Sequence, residues 1–344
     1  MSAVSILVGD CLASLRAMAD QSVNTCVTSP PYFGLRDYGH AGQIGLEQTP
    51  DEFVAKLVEV FRGVRRVLRD DGTLWLNLGD SYGSAGGNTH AGFNARYHGT
   101  QSVEDKQGQA LDGVTERTVY TGLGAKNLLG IPWRVAFALQ ADGWTLRQDI
   151  IWHKPNPMPE SVKDRCTKAH EYIFLLSKGP RYYFDSEAMQ EDAIYGARGS
   201  EFHTGKTGAH QMGRASSAPR QSKVRGEFNG KTNALAGREA FRAIRDTRNR
   251  RSVWTVATKP FKGAHFATFP PDLIEPCVLA GCPEGGTVLD PFGGAGTTGL
   301  VAARNSRNSI LCELNPEYAA MAAERIGLTA TITPPQPNHE KVDA

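Results

Sequence analysis

Hydrophobic positions along the chain switch repeatedly between strand-like runs and helical spacing. The apolar run Ser5–Val8 (SILV) predicts a strand that ends at Gly9-Asp10, and Leu12, Leu15 and Met18 then recur at helical intervals. Val23–Thr28 (VNTCVT) predicts a second strand, stopped by Pro30 and Pro31. Phe53, Leu57, Val60, Phe61, Val64 and Leu68 form a helical stripe, Asp71-Gly72 predicts a turn, and Thr73–Leu78 (TLWLNL) a third strand. Strand–helix alternation over residues 1–80 predicts an α/β fold with a parallel sheet.

The pattern then breaks twice. Residues 81–127 are polar and Gly-rich without a period, which predicts an insertion. Over 128–185 the order resumes, with a helix at Ile131–Leu139 and strands at Leu146–Trp152 and Tyr172–Leu176. Residues 186–252 predict a second insertion. Residues 253–328 predict a helix at Asp272–Ala280 despite Pro276, a strand leading into Asp290, a helix over 298–304, a strand at Ser309–Glu313 and a helix at Tyr318–Ile326. The Pro-containing stretch 329–344 predicts a loose tail.

Composition narrows the class. The 344 residues are 40% hydrophobic, enough for a large core, and no run of 18 apolar residues predicts a membrane span. The first residues lack the basic lead and small-residue cleavage site of a signal peptide. Six scattered cysteines form no C-x-x-C pair, so no metal site is expected and a reduced, cytoplasmic setting is. Net charge is only +2, but residues 196–251 hold thirteen basic and four acidic side chains. Such a segment is either a solvated loop or a surface for phosphates, with Arg248, Arg250 and Arg251 at its end as candidate DNA contacts.

Two short stretches carry chemistry. VLDPFGGAGTTG follows a strand and opens a helix, and Gly294, Gly296 and Gly299 fit G-x-G-x-x-G, with Glu313 19 positions after Gly294. This pattern suits a nucleotide, with Glu313 on ribose hydroxyls, or else only a tightly packed turn. Asp290 and Phe292 argue against NAD, because a carboxylate there repels a pyrophosphate and attracts an ammonium group. A ligand with an adenosine end and a cationic amino-acid end fits better, and S-adenosylmethionine is such a ligand. If the glycine strand and the Glu313 strand neighbour those ending in Asp10 and in TSPPY, all four loops gather at one carboxyl edge. Asp10 is then placed to accept from an adenine amino group, to cap the helix that follows it, or both.

Taken together, these residues resemble the amino-methylating DNA methyltransferases in their circularly permuted, beta-group arrangement. TSPPY (Thr28–Tyr32) resembles that family's catalytic motif and DPFGGAGTTG its cofactor loop, including Thr297. HFATFP, with Thr268, Phe269 and Pro270, resembles the segment at the cofactor's methionine end, CELNPEY the ribose segment, and AHEYIFLLSK a late strand motif. The resemblance implies a seven-stranded, mostly parallel sheet with helices on both faces, S-adenosylmethionine as cofactor, and a target-recognition segment within 186–252. It also implies a double-stranded DNA partner. Pairing as a homodimer, and a cognate restriction endonuclease, are further partners known among relatives.

An exocyclic amine is a poor nucleophile because its lone pair is delocalised into the base. Acceptors that hold its hydrogens free that lone pair, so Ser29 Oγ and the Pro30 carbonyl are the expected acceptors. Pro31 fixes the turn and Tyr32 is expected to stack on a flipped base. SPPY resembles N4-cytosine enzymes, whereas DPPY or NPPY resembles N6-adenine enzymes; N4-cytosine is the favoured target of this chain, with N6-adenine as the alternative. Ser29 has no G-x-S-x-G around it, and Cys277 of Pro276-Cys277 reads as a buried helix residue rather than a nucleophile. Arg36, beside Asp37, is a candidate lid over the base, and Lys154 a candidate phosphate contact. A nucleic-acid-binding module without catalysis is the alternative from another class.

Overall fold

The computed structural model describes residues 2–35, 40, 42–83, 123–192, 247–259, 269–327 and 330–333. β1 (Val4–Val8) leads through Asp10 into α1 (Cys11–Ala17), and the Asp10 carboxylate caps that helix by accepting from the Ala13 N–H at 2.8 Å. β2 (Val23–Thr28) is followed by α2 (Pro50–Val67), whose start is fixed by a reciprocal capping box between Thr49 and Glu52. Its apolar stripe, including Phe53, Leu57, Val60 and Val64, is buried, and β3 (Leu68–Leu78) follows directly.

Next come α3 (Ile131–Ala141), β4 (Thr145–His153), β5 (His170–Ser177), β6 (Gln190–Asp192), β7 (Thr247–Asn249) and β8 (Val253–Thr255). The chain ends with α4 (Pro271–Gly281), β9 (Thr287–Asp290), α5 (Thr297–Arg304), β10 (Asn308–Glu313), α6 (Pro316–Ile326) and β11 (Ala330–Thr333). Contacts divide these into Met1–Ala188 with Arg251–Ala344, and Met189–Arg250. The described part of the second unit is the antiparallel pair β6–β7.

Among the described residues, the first unit holds a nine-stranded sheet in the order β11-β1-β10-β9-β2-β3-β5-β4-β8. Only β5 runs against its neighbours, β3 and β4. Side-chain alternation along β1 shows helices on both faces. Val4, Ile6 and Val8 pack with Ala319 and Ala322 of α6, while Leu7 packs on the cluster built from α1, α2 and α3.

Three expectations change. The sheet has nine strands rather than seven, because β8 pairs with β4 and β11 with β1. The 329–344 stretch therefore contains a strand: the β-branched residues of ATIT let Ala330–Thr333 pair in register with Val4–Leu7. Asp71-Gly72 is no free turn but lies inside β3, in an irregularity between the pairs Val23↔Leu68 and Thr25↔Thr73. Most of 81–127 and 186–252 lies outside the described residues.

Candidate active site

β10, β9 and β2 are parallel neighbours, with β1 beyond β10, so the segments after these four strands emerge at one sheet edge. They surround one cavity. Asp10 comes from the end of β1, Ser29, Pro30, Pro31 and Tyr32 from the end of β2, Phe292 and Gly294 from the glycine loop, and Glu313 from the end of β10. The proline corner and the glycine turn, more than 250 residues apart in sequence, thus share a cavity wall. Further lining comes from Asn315 and Tyr318, both within the CELNPEY segment, and from His40, which the sequence did not single out.

A buried carboxylate joins the two halves. Asp290, 1% exposed, accepts from Thr28 Oγ1 at 2.6 Å, from Thr298 Oγ1 at 2.7 Å and from the Phe292 N–H at 3.0 Å. One side chain therefore ties the residue before Ser29 to the loop that carries Phe292 and to α5. Burial pushes the Asp290 carboxyl up, and the three hydrogen bonds oppose that. The sequence pointed Asp290 at a ligand's ammonium group. The structure gives its oxygens to the protein, behind the cavity wall.

Glu313 does face the cavity. Its Oε2 accepts from the Gly294 N–H at 2.7 Å and its Oε1 from the Asn315 N–H at 2.8 Å. Burial raises its carboxyl above the usual range, while those two amides lower it. The carboxylate is thereby fixed in orientation, which suits a group that receives ribose hydroxyls.

The glycines divide by role. Gly294 lines the cavity with φ +49°, a left-handed value that favours glycine. Gly296 points elsewhere. A Cβ there would stand 2.8 Å from Ala322 Cβ and 3.1 Å from Ala322 Cα, and φ is +73°. Gly299 would meet Ile326 and Leu311 at 2.9 Å. These two positions let α5 approach α6 and β10, so the packing reading applies to them. Thr297 is also buried, its hydroxyl accepting from Arg325 Nη1 at 2.9 Å.

Tyr32 is held from behind. Its hydroxyl donates to Glu171 Oε2 at 2.7 Å and approaches Asn77 Oδ1 at 3.3 Å. Asn77 in turn donates to the Tyr172 carbonyl at 3.0 Å. The ring lies against Gly79, where a Cβ would fall 2.4 Å from Tyr32 Cε2. Lys154 forms an ion pair with Glu171 and lies over the Trp152 ring at 4.1 Å. Its side chain is only 18% exposed. The candidate phosphate contact is thus engaged next to the proline corner. Glu171 and Asn77 were missed as site residues, although AHEYIFLLSK and TLWLNL had marked their strands.

The remaining candidates are more scattered. Phe269 and Pro270 are buried at the start of α4. Thr268 and Arg36 lie outside the described residues. Arg248 pairs with Glu191 at 2.9 Å, and Arg251 is exposed. Arg250 donates its N–H to the Met189 carbonyl at 2.9 Å. Cys277 is fully buried in α4. Two thiols line the cavity, but burial and then the Asp10 charge push Cys11 up to about 12, and burial raises Cys312 as well. Neither offers a ready thiolate at neutral pH. No group of three or more His, Cys, Asp or Glu suited to a metal occurs among the described residues, and no described helix is long and apolar enough to cross a membrane.

This geometry can be compared with known proteins. A family model described as DNA methylase matches residues 23–324. The chain belongs to the DNA methylase family. The Type II methyltransferase M.SmaI of Serratia marcescens is 44% identical over 322 residues, covering 93% of this chain and 90% of that one. Among solved structures, the PvuII DNA methyltransferase, described as cytosine-N4-specific, superposes with TM-score 0.57 at 20% identity, over 95% of this chain and 88% of that one. A putative DNA modification methylase from Thermus thermophilus, solved with S-adenosyl-L-methionine, gives TM-score 0.55 at 22% identity, over 97% and 99% of the two chains. These two likenesses concern the fold. They place this DNA methylase among proteins that build the same α/β sheet.

Proposed function

We propose that this DNA methylase transfers a methyl group from S-adenosylmethionine to the N4 amine of a cytosine extruded from duplex DNA. The observation that carries the reading is the shared cavity, in which the Ser29–Tyr32 corner faces Phe292, Gly294 and Glu313. When bound, S-adenosylmethionine supplies a sulfonium-activated methyl group. Glu313 and Asp10 take its nucleoside end, with Phe292 beside them. Asp290 acts indirectly, by fixing the loop around Phe292.

Ser29 Oγ and the Pro30 carbonyl accept from the two amine hydrogens, which localises the nitrogen lone pair for in-line attack. Tyr32 supplies an aromatic face for the base. The base must leave the duplex to reach this corner, so flipping is part of the proposal. The raised cysteines of the cavity favour amine chemistry over attack by a thiolate on a ring carbon. Serine rather than aspartate or asparagine before Pro-Pro favours cytosine, in line with the description of the PvuII enzyme. Strands β9 and β10 sit between β1 and β2, which supports the permuted arrangement. The Type II designation of M.SmaI supports a role beside a restriction endonuclease.

Mass spectrometry of nucleosides from treated plasmid DNA tests the reading. The expected product is N4-methylcytosine. N6-methyladenine would overturn the base assignment, and 5-methylcytosine would overturn the amine chemistry.

A further inference from the structure

Glu171 lies behind the corner, outside the cavity lining, yet it accepts from the Tyr32 hydroxyl at 2.7 Å. Three features make that contact directional. Glu171 is itself anchored by the Lys154 ammonium, and its side chain is 14% exposed. Lys154 is fixed in turn over the Trp152 ring at 4.1 Å. The Tyr32 ring also has no room to retreat towards β3, because it already rests on the Gly79 backbone. A tyrosine that only filled space would need no partly buried ion pair behind its hydroxyl. The antiparallel pairing of β5 with β4 places Trp152 opposite Glu171, so the sheet register assembles the set.

We propose that Glu171, oriented by Lys154, is a positioning residue that sets the plane of the Tyr32 ring for the target base. It touches neither base nor cofactor. It acts by accepting the Tyr32 hydroxyl, which fixes the ring's rotation as well as its depth. The inference rests on Tyr32 being the stacking surface, and it adds the group that aims that surface. It applies to cytosine and adenine targets alike, because either base offers a face.

The test measures kcat on unmethylated plasmid DNA with tritiated S-adenosylmethionine, and cofactor affinity by calorimetry. Tyr32→Phe keeps the ring and loses the hydroxyl. It should lower kcat about tenfold, the equivalent of one hydrogen bond to a charged group, with cofactor affinity unchanged. A chain carrying Lys154→Met and Glu171→Met removes the ion pair without stranding a charge. It should show a similar loss, and adding Tyr32→Phe to it should cost little more, less than about twofold, because coupled sites are not additive. Glu171→Gln keeps an oxygen acceptor and should stay within about threefold of the native kcat.

Equal Tyr32→Phe penalties in both backgrounds would overturn the proposal. So would a full tenfold loss in Glu171→Gln with the cofactor still bound, which would assign the effect to charge. Tyr32→Ala separates the layers. If it leaves kcat intact, the stacking role itself fails. If it cripples turnover while the Met pair does not, only the Glu171 inference fails.

Discussion

Replacing Asp290 probes how the two halves of the site are held together. Its carboxylate receives three donors, Thr28 Oγ1, Thr298 Oγ1 and the Phe292 N–H, at 2.6, 2.7 and 3.0 Å. In Asp290→Ala the Thr298 hydroxyl can still use the Val27 carbonyl at 3.3 Å, but Thr28 Oγ1 and the Phe292 N–H lose their acceptor. One buried and one partly buried donor left unmet cost about 3 kcal/mol together. At roughly 2 °C per kcal/mol for a chain of this size, melting should fall by about 6 °C.

Asp290→Asn should behave differently. Its oxygen can still accept, and its amide can donate to Thr298 once that hydroxyl turns to Val27. The loss should stay within about 1 kcal/mol. The pH dependence has a definite sign. Burial raises the folded carboxyl, so the folded state binds its proton more tightly than the unfolded state does. Native stability should therefore fall, relative to Asp290→Asn, as pH rises from the ordinary aspartate range through the folded value. Differential scanning fluorimetry across pH reads both effects, and calorimetry with S-adenosylmethionine reads affinity. A native-like melt for Asp290→Ala would refute the bridging role. A tenfold affinity loss in a stable Asp290→Asn would show that the charge itself reaches the ligand.

Ser29→Ala should lower turnover at least tenfold while leaving the S-adenosylmethionine Kd within about threefold, because the proposed partner of its hydroxyl is the base rather than the cofactor. Equal losses in both would contradict that role. Gly296→Ala should cost about 2 kcal/mol through its positive φ and its contact with α6, and thermal melting should show it. Unchanged melting alongside lost cofactor affinity would return Gly296 to the binding site. Neutralising Arg248, Arg250 and Arg251 should weaken DNA binding and flatten its salt dependence, and a retained slope in fluorescence anisotropy would move the phosphate contacts elsewhere.

The sequence was most legible where one force dominates. The α2 stripe and the buried runs of β2 and β3 announce their elements because apolar spacing alone decides them. The gathering of Asp10, Ser29 and Glu313 was also readable, since each ends or follows a strand of the same sheet. Short edge strands were not. β8 has three residues, and β11 is four residues long and lies just before a Pro-containing stretch, so partner strands decide them rather than local pattern. Site roles that depend on direction were equally hidden. Nothing in DPFGGAGTTG says that the Asp290 carboxylate turns towards Thr28, or that Gly296 faces α6. Likewise Glu171 reads as an ordinary polar residue of β5 until the register brings Lys154 and Tyr32 to it.

The sheet order also governs when the protein can come into being. β10 and β9 lie between β1 and β2, so the two earliest strands have no native partner linking them until residues 287–313 have been made. A ribosome releases the serine corner about 250 residues before the segments that build its other wall. Closing that separation makes folding a late and long-range event. During synthesis the growing chain therefore carries half of a catalyst, and methylating power arrives only once β9 and β10 have joined the sheet.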